Sequence, residues 1–182
     1  ASATPRIRVA DPVYNAQVIC EQAKEAAEHG AKIVVFPELC ITGYTCNDLF
    51  LQELLLEKAK EALLTIAEET GQLETLFLVG LPVDKDGRLY NVAAVLYRGR
   101  ILGMIPKKNI PMYAEFYEGR HFTPGEETVT EYRLGKQVIP FGSNLLFRCE
   151  ELPELILGCE LCEDLWVAEP PSTSHALMGA TV

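Results

Sequence analysis

One short apolar run between two longer amphipathic patterns sets the strongest limit on the fold of this chain. Residues 32–36, KIVVF, are rich in β-branched side chains and almost wholly apolar, and Pro37 follows directly. Such a run predicts a short strand buried on both faces, because a strand with one face in water alternates apolar and polar residues. A doubly buried strand needs other layers on both sides of its sheet. The sequence therefore predicts an α/β fold in which helices cover a mixed sheet or a pair of sheets.

The patterns on either side of this run predict the covering helices. The first begins at Asp11, which can cap it, and ends at Gly30. The second opens at Asn47 or Asp48 and continues to about Glu69. Each has apolar residues at helical spacing on one side and charged residues on the other, so each is expected to lie on the surface of the sheet.

The remaining apolar segments predict further strands. Residues 76–79 form a second buried run, and turns at 84–87 and 98–99 separate two longer strands, 89–97 and 100–105. Strands joined by tight turns are antiparallel, so the sheet is expected to be mixed. Shorter elements are predicted as strand pieces at 138–141, 144–149 and 155–161 and as a helix that starts near Ser174.

The composition limits the possible partners. The chain has 26 acidic and 16 basic residues and a formal net charge of -10, which repels phosphate backbones and anionic lipid. We therefore predict neither a nucleic-acid partner nor a membrane partner. The six cysteines have no framework spacing, and the N-terminal residues lack the apolar core of a signal peptide. Both observations favour reduced thiols and a cytoplasmic location.

Two of the cysteines form a CxxC motif inside the acidic segment LGCELCEDLW, residues 157–166. A structural zinc site needs four ligands, and the three histidines of the chain are isolated, so no metal site is predicted. A redox CxxC normally opens a helix, whereas this one closes an apolar strand. Alternation along the strand places Cys159 with core leucines and Cys162 on the other side, at the strand's carboxyl end, where open α/β sheets place their sites.

Two other predicted strands end in residues that could serve a thiol nucleophile. Glu38 follows the strand at 32–36, and Lys107 and Lys108 follow the strand at 100–105. A carboxylate could take the thiol proton, and an ammonium could offset the acidic surroundings of Cys162. Each residue also has an ordinary explanation, since a loop carboxylate, a solvated lysine and a buried thiol are common in proteins.

Three blocks of sequence, in this order, resemble the signatures of the nitrilase superfamily. They are FPEL followed by TGY at 36–44, PKKNIPMYAEFYEGRHF at 106–122, and ELCEDLW at 160–166. The second and third blocks are most similar to the amide-hydrolysing domain of glutamine-dependent NAD synthetases. The similarity extends over nearly the whole chain, and it implies an αββα sandwich occupying residues 1–182.

The resemblance also implies a catalytic triad of Glu38, Lys107 and Cys162. Lys107 takes the role rather than Lys108, because the family's lysine directly follows the proline. Glu38 would accept the thiol proton, Cys162 would attack the amide carbon of glutamine, and Lys107 would stabilise the oxyanion before a thioester is hydrolysed. On this view the acidic flank keeps Cys162 protonated until substrate is in place.

The same resemblance implies three further site residues. Glu118 falls where a second glutamate helps to orient the lysine and the substrate. Tyr113 falls where a tyrosine lines the glutamine pocket, and Phe116 is a candidate wall of that pocket.

Compared with the family, the chain departs at both ends. It is expected to lack most of the first strand and the second half of the sandwich, so the predicted fold is truncated at both ends. Exposed sheet edges then predict a homo-oligomer or a partner fragment. The resemblance implies a partner synthetase domain that uses the ammonia with ATP and Mg, and no cofactor in the amide-hydrolysing domain. Two alternatives stay open, a stand-alone amidase acting on another small amide and an inactive fragment acting only as an assembly module.

Overall fold

A six-stranded mixed sheet organises the computed structural model, which describes residues 1–182. The strand order is β1-β2-β3-β4-β6-β5, in which β1 is parallel to β2, β4 is parallel to β6, and the other neighbours are antiparallel. The prediction of a mixed sheet with flanking helices is confirmed. The strands are β1 (Ile33–Val35), β2 (Leu76–Lys85), β3 (Arg88–Tyr97), β4 (Arg100–Pro106), β5 (Thr130–Leu134) and β6 (Gln137–Phe141).

Two helices cover one face of this sheet, α1 (Pro12–Glu28) and α2 (Glu53–Glu69). The carboxylate of Asp11 accepts a hydrogen bond from the backbone N–H of Tyr14, which confirms the predicted cap of α1. Fully buried side chains from both helices, such as Ile19 and Leu63, form one core with that face of the sheet. None of the helices is both long and apolar enough to cross a lipid bilayer.

The single helix predicted from Asn47 to Glu69 is wrong in its first part. Asn47–Leu51 forms a separate 3-10 turn, and the extended backbone of Gln52 divides it from α2. The turn carries Phe50 into a small cluster with Leu39 and Phe122. Packing of this ring against the loop after β1 therefore overrides the helical periodicity of the sequence.

The opposite face of the sheet is covered by a two-stranded sheet and the chain that follows it. The pair consists of β7 (Phe147–Arg148) and β8 (Ile156–Leu157), both much shorter than the strand pieces predicted there. Leu157, Leu161 and Cys159 pack on this face, as the alternation of the sequence predicted. A third helix, α3 (Pro171–Leu177), follows and begins at Pro171 rather than near Ser174, with proline in its first turn.

β1 is not buried on both faces, contrary to the prediction. Val34 is fully buried against the helices, whereas Val35 is 45% exposed. β1 is the outermost named strand of the sheet, and on the face toward the pair β7–β8 its Ile33 packs against the cluster there, whereas Val35 does not. A second difference lies at the other edge, where β5 was not predicted. Its alternation of charged and buried residues marks an edge strand with only one face on the core.

A bulge in the β3–β4 hairpin determines what lies opposite Lys107. Pairing runs from Tyr97 with Arg100 to Val92 with Pro106, and Leu102 is an extra residue on β4 that shifts the register by one. Just beyond the last pair, the backbone N–H of Lys107 donates to the carbonyl of Asn91 at 2.8 Å. The ends of β1 and β4 and the segment after β8 then meet at one edge of the fold.

Candidate active site

The ammonium of Lys107 lies between two carboxylates in the interior of the protein. Its Nζ is 2.7 Å from Glu38 Oε1, and it is 2.8 and 3.0 Å from the two oxygens of Glu118. The Lys107 side chain is 0% exposed, and Glu118 is buried as well. The structure therefore brings together three of the residues that the sequence singled out, from the loop after β1, the end of β4 and the 3-10 turn Glu118–Arg120.

The two carboxylates keep this buried lysine charged. Burial by itself would lower the pKa of Lys107, because a low-dielectric interior disfavours the ammonium. The charges and hydrogen bonds of Glu38 and Glu118 outweigh burial and raise its pKa above 10.5. Lys107 is therefore a fixed positive charge at neutral pH.

Two neighbours of these carboxylates were missed in the sequence. The amide nitrogen of Asn91 donates to Glu38 Oε1 at 2.6 Å, and the hydroxyl of Tyr44 donates to Glu118 Oε1 at 2.6 Å. The signal for Asn91 was a lone amide within the apolar strand β3, and the signal for Tyr44 was its place in the TGY block. Neither signal reveals a partner that is distant in sequence.

Cys162 opens the 3-10 turn Cys162–Trp166 with an unusual backbone. Its φ is +45°, in the left-handed region that residues with a β-carbon rarely adopt. Such conformations cluster at functional sites, where the surrounding fold holds them. Leu161, just before it, is buried in the core, whereas Cys162 is exposed. The thiol is therefore presented at the edge of the fold by a fixed turn.

The charges of the buried cluster change the pKa of the Cys162 thiol. Burial of the sulfur raises its pKa most, the carboxylates of Glu38 and Glu118 raise it further, and Lys107 acts in the opposite direction. The thiol is therefore protonated at neutral pH. The cause differs from the one expected from the sequence, because the carboxylates responsible come from other elements and not from the residues flanking Cys162.

The flanking carboxylates have structural partners instead. Buried Asp164 accepts hydrogen bonds from the backbone N–H groups of Leu161 and Asn109, at 3.1 and 2.7 Å, and so ties the cysteine turn to the loop after Lys107. Glu160 accepts from the backbone N–H of Ser172, near the start of α3. An acidic segment is therefore compatible with a thiol nucleophile, because its charges are engaged in holding the turn.

Tyr113 and Phe116 lie together beside the cysteine turn. Their rings meet edge to face with centroids 5.8 Å apart, and the Tyr113 hydroxyl donates to Glu163 at 2.7 Å. A cavity of about 240 Å³ lies next to them and is lined by Phe116 and Glu118 together with Tyr44, but not by Tyr113. The predicted pocket residues therefore lie near the charged cluster, although they do not share one cavity. The structure holds no group of three or more His, Cys, Asp or Glu side chains arranged for a metal ion.

Gly80 allows the Glu38 loop to lie directly on β2. A β-carbon at this position would come within 2.3 Å of the backbone nitrogen of Leu39. We expect Gly80→Ala to displace the loop, to destabilise the protein by about 2 kcal/mol or more, and to lower about tenfold or more the amide hydrolysis that the sequence resemblance implies. Thermal unfolding and ammonia release measure the two effects. The control is Gly103→Ala, whose β-carbon would crowd the ring of Phe147 instead, so it should lower stability only; equal losses of activity in both variants would contradict the prediction.

Comparison with known proteins agrees with this geometry. The sequence profile of the carbon-nitrogen hydrolase family matches residues 1–182. The glutamine-dependent NAD(+) synthetase of Mycobacterium tuberculosis is 40% identical over 182 residues, which is 100% of this chain and 27% of that protein. The enzyme of the same name from Thermotoga maritima is 33% identical over 163 residues, 90% of this chain and 25% of that protein.

Two solved structures share the fold of this chain. The crystal structure of a glutamine-dependent NAD(+) synthetase from Cytophaga hutchinsonii superposes with a TM-score of 0.86 at 29% identity, covering 99% of this chain and 28% of that one. An amidase from Nesterenkonia sp. matches with a TM-score of 0.57 at 23% identity, over 76% of this chain and 53% of its own, and shows a shared fold.

The predicted resemblance and the predicted nitrilase-like α/β fold are therefore confirmed. The chain spans about a quarter of the length of the NAD(+) synthetases that it matches. The carbon-nitrogen hydrolase profile covers every residue of it, including the blocks that carry Glu38, Lys107 and Cys162. This chain belongs to the carbon-nitrogen hydrolase family.

Proposed function

We propose that this chain hydrolyses the side-chain amide of glutamine, with Glu38, Lys107 and Cys162 as its catalytic residues. The observation that carries the proposal is the fully buried ammonium of Lys107, which is held by Glu38 and Glu118 and whose charge reaches the Cys162 thiol. A buried ion pair costs desolvation energy and is a weak source of stability, so a cluster of this kind whose charges act on the pKa of a thiol favours a catalytic role.

The proposed first half-reaction forms a thioester. Glu38 takes the thiol proton as the sulfur of Cys162 attacks the amide carbon, and Lys107 stabilises the negative oxygen that develops. The carbon–nitrogen bond then breaks, the proton passes from Glu38 to the leaving nitrogen, and ammonia departs. Because the thiol is protonated in the free enzyme, Glu38 must remove its proton during the attack.

The second half-reaction returns the enzyme to its starting state. Glu38 deprotonates a water molecule, which attacks the thioester carbon, and Lys107 again faces the negative oxygen. The carbon–sulfur bond breaks, glutamate leaves and the proton returns to the sulfur. No redox cofactor enters this balance.

Glutamine is the proposed substrate because the relatives at 33 to 40% identity are named as glutamine-dependent enzymes. Tyr113, Phe116 and Glu118 would contact it, since they lie around the cysteine turn and the buried ammonium. The remaining three quarters of those relatives would include the synthetase domain that uses the ammonia with ATP and Mg. A cytoplasmic location and a homo-oligomer remain predictions.

Ammonia release from a panel of amides tests this function in the complete protein that contains the chain. Glutamine, asparagine and short aliphatic amides are compared at equal concentration, and glutamine is expected to be hydrolysed at least 100-fold faster than the others. Equal or faster hydrolysis of an aliphatic amide would favour a stand-alone amidase. Release from none of them would favour an assembly module without catalysis.

A further inference from the structure

We propose that Asn91 is a positioning residue that holds the Glu38 carboxylate by Oε1 and so leaves Glu38 Oε2 as the atom that accepts the proton. This inference rests on the proposed function. It concerns a residue of β3 that lies between the two carboxylates and that the mechanism above does not use.

Asn91 contacts all three charged groups of the buried cluster. Its side chain is 0% exposed, and its amide nitrogen is 2.6 Å from Glu38 Oε1 and 3.5 Å from Glu118 Oε2. Its backbone carbonyl accepts the N–H of Lys107. One residue therefore fixes the base through its side chain and the lysine through its main chain.

The hydrogen bonds around Lys107 leave one carboxylate oxygen without a donor. Glu118 Oε1 accepts from Lys107 and Tyr44, and Glu118 Oε2 accepts from Lys107 and, weakly, from Asn91. Glu38 Oε1 accepts from Lys107 and Asn91. Glu38 Oε2 accepts from no protein donor, and Glu38 is more exposed than Glu118, at 17% against 6%. An oxygen without donors binds a proton most readily, so Glu38 Oε2 is the base.

The oxygen of the Asn91 side-chain amide shows that the amide is oriented by the hydrogen bond that its nitrogen donates to Glu38. Its Oδ1 is buried and has no hydrogen-bond partner, which lowers the stability of the folded state. Turning the amide over would not help, because the oxygen would then face two carboxylates. A carbonyl left unpaired in the core is the cost of directing the N–H groups at Glu38, and an apolar side chain would avoid it.

A pH-dependent measurement separates positioning from a merely structural role. The charged and titratable groups that face Glu38 are Lys107, Glu118, Tyr44 and Cys162. Removing the Asn91 donor leaves Lys107 as the one donor to Glu38 Oε1, so the carboxylate is no longer held in its orientation. Burial and then the Glu38 carboxylate raise the pKa of the Cys162 thiol, so the pH dependence of thiol modification reports on where that carboxylate lies.

The experiment follows the reaction of Cys162 with a pyridyl disulfide, which still reacts in acid, from pH 3 to 9 in the complete protein. Modification is read on the peptide that carries Cys162 by mass spectrometry. Asn91→Ala is compared with the unmodified protein, with Glu38→Gln and with the control Thr75→Val. Thr75 is also buried, but it bonds to Ala31 at the opposite end of β2 from the Glu38 loop.

In Asn91→Ala we expect the pH profile of Cys162 modification to move toward lower pH, because a carboxylate that is no longer held raises the pKa of the thiol less, and kcat/KM for glutamine to fall about tenfold. The profile should move at least as far in Glu38→Gln, which removes the charge, and stay in place in Thr75→Val. A profile that does not move in Asn91→Ala overturns the proposal, even if activity falls. Modification of Cys162 is measured without turnover, so it tests the role of Asn91 independently of catalysis. A protein that releases no ammonia from glutamine would refute the proposed function and not the role of Asn91.

Discussion

Replacing Lys107 with methionine is expected to destabilise the protein by about 3–5 kcal/mol and to abolish amide hydrolysis. Methionine fills much of the volume, but it leaves Glu38 and Glu118 facing each other without the cation that both contact. Breaking a buried ion pair by removing one partner leaves an uncompensated charge, which accounts for the loss of stability. The proposed oxyanion loses its cation in the same variant. Chemical denaturation and ammonia release from glutamine measure the two losses.

The adjacent lysine provides a matched control. Lys108 pairs with Glu127 at the surface, where its side chain is 33% exposed. Lys108→Met should therefore change the free energy of unfolding by less than about 1 kcal/mol and leave hydrolysis nearly intact. If the two variants lost stability equally, the buried cluster would not hold the edge of the fold as described. If Lys107→Met kept its activity, the proposed oxyanion role would be wrong.

Cys162→Ala is expected to lower ammonia release by about 10⁴-fold or more without a comparable loss of stability. Alanine removes the proposed nucleophile, and no other thiol is available because the remaining cysteines are buried or partly buried elsewhere. The exposed position makes a large effect on folding unexpected. Cys149→Ala is the control, since that thiol is accessible in part and lies outside the site. Residual hydrolysis at the level of the control would show that Cys162 is not the nucleophile and would contradict the proposed function.

Alkylation of Cys162 adds a test that needs no substrate. Because burial and the two carboxylates raise the pKa of its thiol, iodoacetamide should modify Cys162 slowly at neutral pH and faster as the pH rises above 9. Cys46 is a poor reference, since it is buried and its pKa is also raised. The rate is best compared with that of Cys149. A rate at pH 7 far above that of Cys149 would mean that the thiol is already ionised and would contradict the proposed mechanism.

The sequence predicted the parts of this site that follow from local patterns. A short apolar run that ends in a proline locates the end of β1, and the hairpin turn at Arg98–Gly99 locates β4, so the loops carrying Glu38 and Lys107 could be placed at strand ends. The alternation that assigned Cys159 to the core held even though little of that segment is a regular strand. These patterns depend only on neighbouring residues, which is why they were reliable.

What the sequence could not predict depends on contacts between distant segments. Val35 is exposed because the cluster that packs on Ile33 does not extend to it, and Phe50 breaks a helical pattern because it packs on residues more than ten positions away. Asn91 is an ordinary polar residue in a strand until the loop of Glu38 is placed over it. The partners of the acidic flank are likewise backbone N–H groups, which no residue pattern identifies.

The extra residue at Leu102 makes the spacing of the hairpin a condition for catalysis. If the pairing near the Arg98–Gly99 turn continued without the bulge, Lys107 would stand opposite Tyr90 instead of Asn91, and its side chain would point toward the helices. Insertions and deletions at surface turns are usually tolerated, but here a one-residue change in chain length would carry the ammonium to the wrong side. This turn is therefore expected to accept changes of length hardly at all, and the positive φ angles of Arg98 and Gly99 restrict its residues as well.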